Sequence, residues 1–137
     1  MKYLFIILFS LVPLLSGELD WQHSYDQAVA KAKAENKNIF VFIEAKHCPY
    51  CEQMMHDVLS TKYIDNALKH FIPLKLNISS PDAKTHFPKA VVTPTSYFIT
   101  PQKQPLEEIV GYLNEEFFFW RIDSAEAEAK RLQGAKK

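Results

Sequence analysis

Apolar positions change their rhythm several times along the chain. Tyr3–Leu15 is one apolar run. In the stretch SYDQAVAKAKAENKN they take helical spacing, with Trp21, Tyr25, Ala28, Val29 and Ala32 on one face. Ser24 with Gln27 three residues later forms a capping-box pattern at its start. NIFVFIEA, Asn38–Ala45, is a continuous β-branched and aromatic run and predicts a buried strand. Helical spacing returns with Cys51, Met54, Met55 and Val58, so a helix is expected from Cys51. Ser60 is placed to cap another short helix ending near Leu68. FIPLKLNI, Phe71–Ile78, predicts a second strand, and Pro73 marks an edge strand or an early position. Pro81 and Pro88 mark a polar loop. Thr95–Thr100 predicts a third strand, PQKQP a turn, and Leu106–Leu113 a fourth strand. Asn114 is placed to cap a last helix whose inner face is Phe118, Ile122, Ala125, Ala129 and Leu132. The tail QGAKK is expected to be loose.

The first two strands are joined through helices and so should be parallel. The last two are joined by a tight turn and should be antiparallel. The expected fold class is α/β, a three-layer arrangement with a mixed sheet of about four strands and helices on both faces. EFFFW (Glu116–Trp120) cannot lie wholly on one helix face. Packing against the sheet is its expected use, with a docking patch as the other reading.

The N-terminal run changes the picture of where the chain works. Lys2 precedes it and the small Ser16–Gly17 follow, the layout of an export signal over residues 1–17. It is short of the roughly 20 residues a membrane span needs. An uncleaved N-terminal anchor is the alternative. Residues 18–137 are then one domain, exported to the periplasm or an equivalent oxidising compartment where cysteines pair. Composition agrees with a single core, since 47% of residues are hydrophobic. Basic and acidic side chains balance at 16 each with no long basic run, which argues against nucleic-acid binding.

The candidate chemistry lies in EAKHCPYCEQMMH, Glu44–His56, which holds both cysteines. Cys48 and Cys51 form C-x-x-C at the expected junction of strand and helix. A helix N-terminus stabilises negative charge, so it favours a thiolate at Cys48. Lys46 and His47 act in the same direction. Cys51 faces the core one turn later, placed to attack a mixed disulfide at Cys48. Pro49 fits the first helical turn, where no N–H is needed. A purely structural bridge is unattractive, because so small a loop constrains the unfolded chain little. The rival is a metal- or haem-handling site using Cys48, Cys51 and His47 or His56. Neither a second C-x-x-C nor a closely spaced histidine pair completes such a set. Far downstream, TPT places Pro94 before the third strand. X-Pro is the usual site of a cis peptide, and a cis bond there would expose the Thr93 backbone beside Cys48. An ordinary trans proline at a strand start is the other reading.

From Trp21 to Leu132 the chain resembles the thioredoxin superfamily. The resemblance rests on the strand–C-x-x-C–helix unit, the later TPT, and the closing hairpin and helix. NKNIFVFIEAKHCPYC is most similar to exported bacterial thioredoxin-like proteins, including soluble domains of the disulfide-reductant relay. The resemblance implies a thioredoxin-like fold and an exported thiol-disulfide oxidoreductase, with reduction favoured over oxidation or isomerisation. It implies Cys48 as nucleophile, Cys51 as resolving thiol, a cis bond at Thr93–Pro94, and Thr93 backbone groups that dock substrate. It also implies protein substrates bearing cysteines or disulfides and a membrane electron-relay partner. No cofactor or resident metal is expected, and the chain is expected to act as a monomer. Three departures stand out. Phe42 occupies the position where thioredoxins carry a buried aspartate, so Glu44 is the candidate proton relay. His47, a candidate tuning group for the Cys48 pKa, replaces a tryptophan. Pro49-Tyr50 replaces Gly-Pro, giving the CPYC of many glutaredoxins. The long first helix and the export signal argue against a cytosolic glutathione-dependent enzyme.

Overall fold

The structure, a computed structural model, describes residues 18–136. The export-signal reading of residues 1–17 lies outside the described residues. The elements run α1 (Tyr25–Glu35), β1 (Asn38–Glu44), α2 (Pro49–Met54), α3 (Lys62–Leu68), β2 (Phe71–Asn77), α4 (Pro81–His86), β3 (Thr95–Ile99), β4 (Pro105–Val110) and α5 (Glu115–Gly134). The sheet order is β2-β1-β3-β4, with β1 parallel to β2 and antiparallel to β3, and β3 antiparallel to β4. This is the mixed four-stranded α/β sheet expected of a thioredoxin-like fold.

A strand with no polar face must be covered on both sides, and β1 is. Phe40 and Phe42 point into one core, with Phe98 from β3, Phe118 and Ile122 from α5, and Leu68 from α3. Aromatic rings dominate there: Phe98 lies 5.0 Å from both Phe40 and Phe71, and Phe118 is edge-on to Phe40 at 5.7 Å. Ile39, Val41 and Ile43 point into the second core, beneath Tyr25, Ala28 and Ala32 of α1 and against Ile72 and Leu74 of β2. Each fully buried large apolar side chain contributes about 1.5–3 kcal/mol.

Trp21 does not share the buried face of α1. The chain crosses the edge of the sheet at Gln22, whose N–H donates to Pro73 O at 2.8 Å and whose carbonyl accepts from Lys75 N–H at 2.9 Å. Trp21 is thereby left on the opposite face, 5.9 Å from Phe40. The same contact explains Pro73: its carbonyl faces the outer edge of an edge strand, where the ladder does not need its missing N–H.

The capping box at Ser24 does not form. The side chain of Ser24 makes no capping bond, and the N–H of Tyr25 donates to Asp82 Oδ2 at 2.7 Å. Asp82 comes from α4, a helix where only a polar loop was expected. Its sequence signal was present, since Ser80 caps it through Ala83 N–H at 3.1 Å and Pro81 sits in its first turn. The helix after Cys51 widens into a π turn over Met55–Leu59. Ser60 ends that turn, donating its hydroxyl to Met55 O, and Thr61 rather than Ser60 caps α3. The widening buries Val58 and Leu59 and leaves Met55 only half-buried. The fourth strand stops at Val110, short of Leu113, because Gly111 turns away at φ 88°. Asn114 caps α5 through Phe117 N–H at 3.0 Å. α5 continues to Gly134, into the expected tail. EFFFW is split: Phe118 is buried, Phe119 stacks on Tyr63 at 4.7 Å, and Phe117 and Trp120 remain exposed.

Candidate functional site

β1 delivers the chain to one end of the sheet, where a turn of Ala45–His47 reverses it into α2. His47 takes the left-handed conformation at φ 56°, which histidine tolerates better than branched residues do. Cys48 is the N-cap. Its carbonyl accepts the N–H groups of Cys51 and Glu52, each at 3.1 Å, and its sulfur accepts from Cys51 N–H at 3.2 Å. One backbone donor, the Cys51 N–H, therefore already points at Cys48 Sγ. Pro49 occupies the first helical turn.

Cys48 and Cys51 are joined in a disulfide, with Cα atoms 5.2 Å apart. The two sulfur-bearing residues differ in access: Cys48 is 9% exposed and Cys51 2%. Cys51 lies on the buried side of α2 with Met54, in the same aromatic core as Phe42. Phe42 is fully buried, so no carboxylate stands where thioredoxins place one. Ser96, paired with Phe42 across β1 and β3, is fully buried and its hydroxyl has no hydrogen-bond partner among the described residues. Its strand reads as ordinary β-former sequence, so nothing in the residue pattern marks that orphan group.

A second segment meets the pair from the far side of the chain. The Thr93–Pro94 peptide bond is cis, and Thr93 Oγ1 lies 3.4 Å from Cys48 Sγ, donating to it. Thr95 Oγ1 donates to Val92 O at 2.8 Å, and Gly111 N–H donates to Pro94 O at 2.8 Å. These bonds tie the cis-proline loop to the start of β3 and to the turn after β4. Gly111 and Tyr112 thus join the site, although sequence reasoning placed both inside a strand.

On the Cys51 side a cleft of about 490 Å³ is lined by Glu44, Lys46, His47, Cys51, His56 and Lys75 among others. Glu44 is half-buried at the end of β1, and His47 is exposed. Lys75 reaches over the ring of Trp21, 5.6 Å from its centroid. His56 Nδ1 is 2.6 Å from Asp57 Oδ1, at the surface. Among the described residues, no group of three or more His, Cys, Asp or Glu side chains is gathered to hold a metal ion.

A comparison with known protein families matches residues 20–101 to a family model described as thioredoxin-like. Among curated proteins, human anterior gradient protein 2 homolog is 25% identical over 109 residues, which is 79% of this chain and 62% of that protein. The chain thus spans less than two thirds of the length of that relative. Among solved structures, a thioredoxin from Thermus thermophilus superposes with a TM-score of 0.68 at 26% identity, over 77% of this chain and 85% of that one. A putative disulphide-isomerase from Bacteroides thetaiotaomicron superposes with a TM-score of 0.66 at 20% identity, over 79% of this chain and 93% of that one. The second likeness speaks to the fold alone. A paired C-x-x-C in this fold supports thiol-disulfide redox chemistry. With the family model matching more than half of its length, the chain belongs to the thioredoxin-like family.

Proposed function

We propose that the protein is an exported thiol-disulfide oxidoreductase that reduces disulfides in protein substrates. The observation that carries this reading is the asymmetry of the pair. Cys48 is the more exposed residue of the two and sits at a helix N-terminus against Thr93, while Cys51 is sealed into the core. In the reduced protein, the Cys48 thiolate attacks one sulfur of a substrate disulfide. A mixed disulfide forms and one substrate thiolate leaves. The Cys51 thiolate then attacks Cys48 Sγ, closing the Cys48–Cys51 bond and releasing the second substrate thiolate. Two electrons pass to the substrate.

The remaining roles follow the same reading. Backbone donors at the start of α2 stabilise the Cys48 thiolate, and His47 beside it tunes its pKa. Pro94 presents Thr93, whose backbone docks the substrate. Cys51 must lose its proton before it attacks. With Phe42 in the buried position, Glu44 takes that proton through the cleft both residues line. The reducing direction rests on the resemblance to reductant-relay proteins, since a stabilised Cys48 thiolate by itself favours the oxidant role. Residues 1–17 are the export signal and 18–137 the working domain. A membrane electron-relay partner regenerates the dithiol, and the protein acts as a monomer.

Reduced wild-type protein is expected to reduce a disulfide-bonded protein substrate. Cys51→Ser is expected to accumulate a covalent mixed disulfide through Cys48, visible by mass, and Cys48→Ser to form none. Stoichiometric zinc or copper that resists dialysis, with no turnover of any disulfide, would overturn the proposal.

A further inference from the structure

α5 buries one stripe of side chains and leaves another uncovered. Phe118, Ile122, Ala125 and Ala129 are its buried residues. On the outward side, Glu116, Trp120, Asp123 and Ala127 recur at the spacing of one helix face, and all four are exposed. Trp120 is 52% exposed and Phe117 beside it 48%, their rings edge to face at 5.1 Å. Phe119 packs against the aromatic core, but neither Phe117 nor Trp120 does. Glu116 stands one turn before Trp120 and Asp123 one turn after it. Neither carboxylate has an ion-pair partner among the described residues. Arg121, next to Trp120 in sequence, turns to the β4 flank, where it pairs with Glu107 and donates to Glu108 O. The helix N-terminus accounts for Glu116, since it favours negative charge. It does not account for Asp123, which lies two turns further in, where aspartate is a poor helix former.

We propose that this outward face of α5 is a docking surface for an amphipathic helix of another protein, one that carries basic side chains on either side of its apolar stripe. An uncovered helical stripe pairs most fully with a second helix, ridge into groove. An apolar side chain of the partner covers Trp120 and Phe117. An arginine or lysine one turn to either side meets Glu116 and Asp123, and the face of the Trp120 ring attracts the same cations. Tryptophan is enriched among the side chains that anchor such contacts. The two carboxylates repel anionic lipid headgroups, which separates this face from a membrane-contact face. The chain as a whole carries zero formal net charge, so a basic segment is drawn by a local field such as this one. No α5 residue lines the cleft beside Cys51, so the inference stands apart from the thiol-disulfide reading and goes beyond it.

The test uses two fluorescently labelled helical peptides without cysteine, each with a leucine stripe, flanked by arginine in one and by glutamate in the other. Fluorescence anisotropy reads their binding to the full chain. The arginine peptide is expected to bind at least about tenfold more tightly than the glutamate peptide, and to weaken as salt is raised. Trp120→Ala and Asp123→Lys are each expected to weaken the arginine peptide about tenfold. Asp26→Lys makes the same charge change on α1, across the sheet, and should leave binding unmoved. Circular dichroism checks that each variant folds, and Phe117→Ala carries the test should Trp120→Ala not fold. All these variants should reduce a disulfide as fast as wild type, so failure of the docking surface and failure of the redox reading are told apart. Equal binding of the two peptides, or binding unmoved by both Trp120→Ala and Asp123→Lys, would overturn the proposal. So would Trp120-dependent binding to phosphatidylglycerol vesicles, or a Trp120-dependent doubling of the protein's mass in solution, since each names a different occupant.

Discussion

Phe42 and Ile43 are neighbours on β1, and both are fully buried, yet they point into different cores. Ile43 joins Ile39 and Val41 under α1, in a cluster that holds no cysteine or methionine among the described residues. Phe42 packs in the same cluster as Cys48, Cys51 and Met54. The second face, that of Ile43, holds the molecule together; the first, that of Phe42, also sets the surroundings of the redox pair. Changes on the second face should therefore alter stability alone. Changes on the first should alter stability and the chemistry together.

The largest effect expected is the loss of the nucleophile. Cys48→Ser should lower disulfide reduction by more than about a thousandfold while the protein still folds, as rates and circular dichroism will report. Next comes Leu74→Ala, on the second face. It should cost about 2–5 kcal/mol in denaturant unfolding and leave the reduction potential of the pair unmoved. Its counterpart, Phe42→Leu, should cost less in unfolding, on the order of 1–2 kcal/mol. It loosens the packing around Cys51, eases solvation of a thiolate there and should raise the potential, since 30 mV corresponds to about 1.4 kcal/mol. Equal potentials in both variants would erase the distinction between the faces.

Glu44→Gln sharpens the comparison at the border between sheet and cleft. It should slow the resolving step about tenfold, below the full range for general-base catalysis because water also reaches the cleft. The loss should be largest near neutral pH and shrink as alkali deprotonates Cys51 directly. The smallest effect belongs to Tyr97, on the second face. Its hydroxyl is shut from solvent and makes no hydrogen bond among the described residues. Burial first, and the charge of Glu108 second, push its pKa up to about 12 from 10.0. The folded pKa is the raised one, so its contribution is complete below pH 10 and is lost as pH rises from 10 towards 12. Tyr97→Phe should remove that alkaline loss and be neutral or more stable by up to about 1 kcal/mol at pH 7.

Strands and their pairing were legible because burial on both faces leaves an unbroken apolar run, as at β1. The last helix was legible from Asn114 and the spacing of Phe118, Ile122, Ala125 and Ala129. The π turn was not, because Cys51, Met54 and Val58 satisfy α-helical spacing as well as the wider turn. Nor was the position of Trp21, which depends on Gln22 crossing the edge of β2, a contact with a strand far along the chain. α4 was not legible because Pro81 and Pro88 mark a loop as readily as Ser80-Pro81-Asp82 marks a helix start. At the site, Cys48, Cys51, Thr93 and Pro94 could be named from motif and spacing. Tyr112 could not, since only the bond from Gly111 to Pro94 brings it to the pair.

The most direct measurement is the equilibrium of the Cys48–Cys51 pair of the full chain in glutathione buffers, followed by the two-dalton mass change. A reversible two-electron transition with a potential near −270 mV, roughly that of a thioredoxin, is the predicted result. A potential near −120 mV, roughly that of a strong oxidant, would contradict the reducing role.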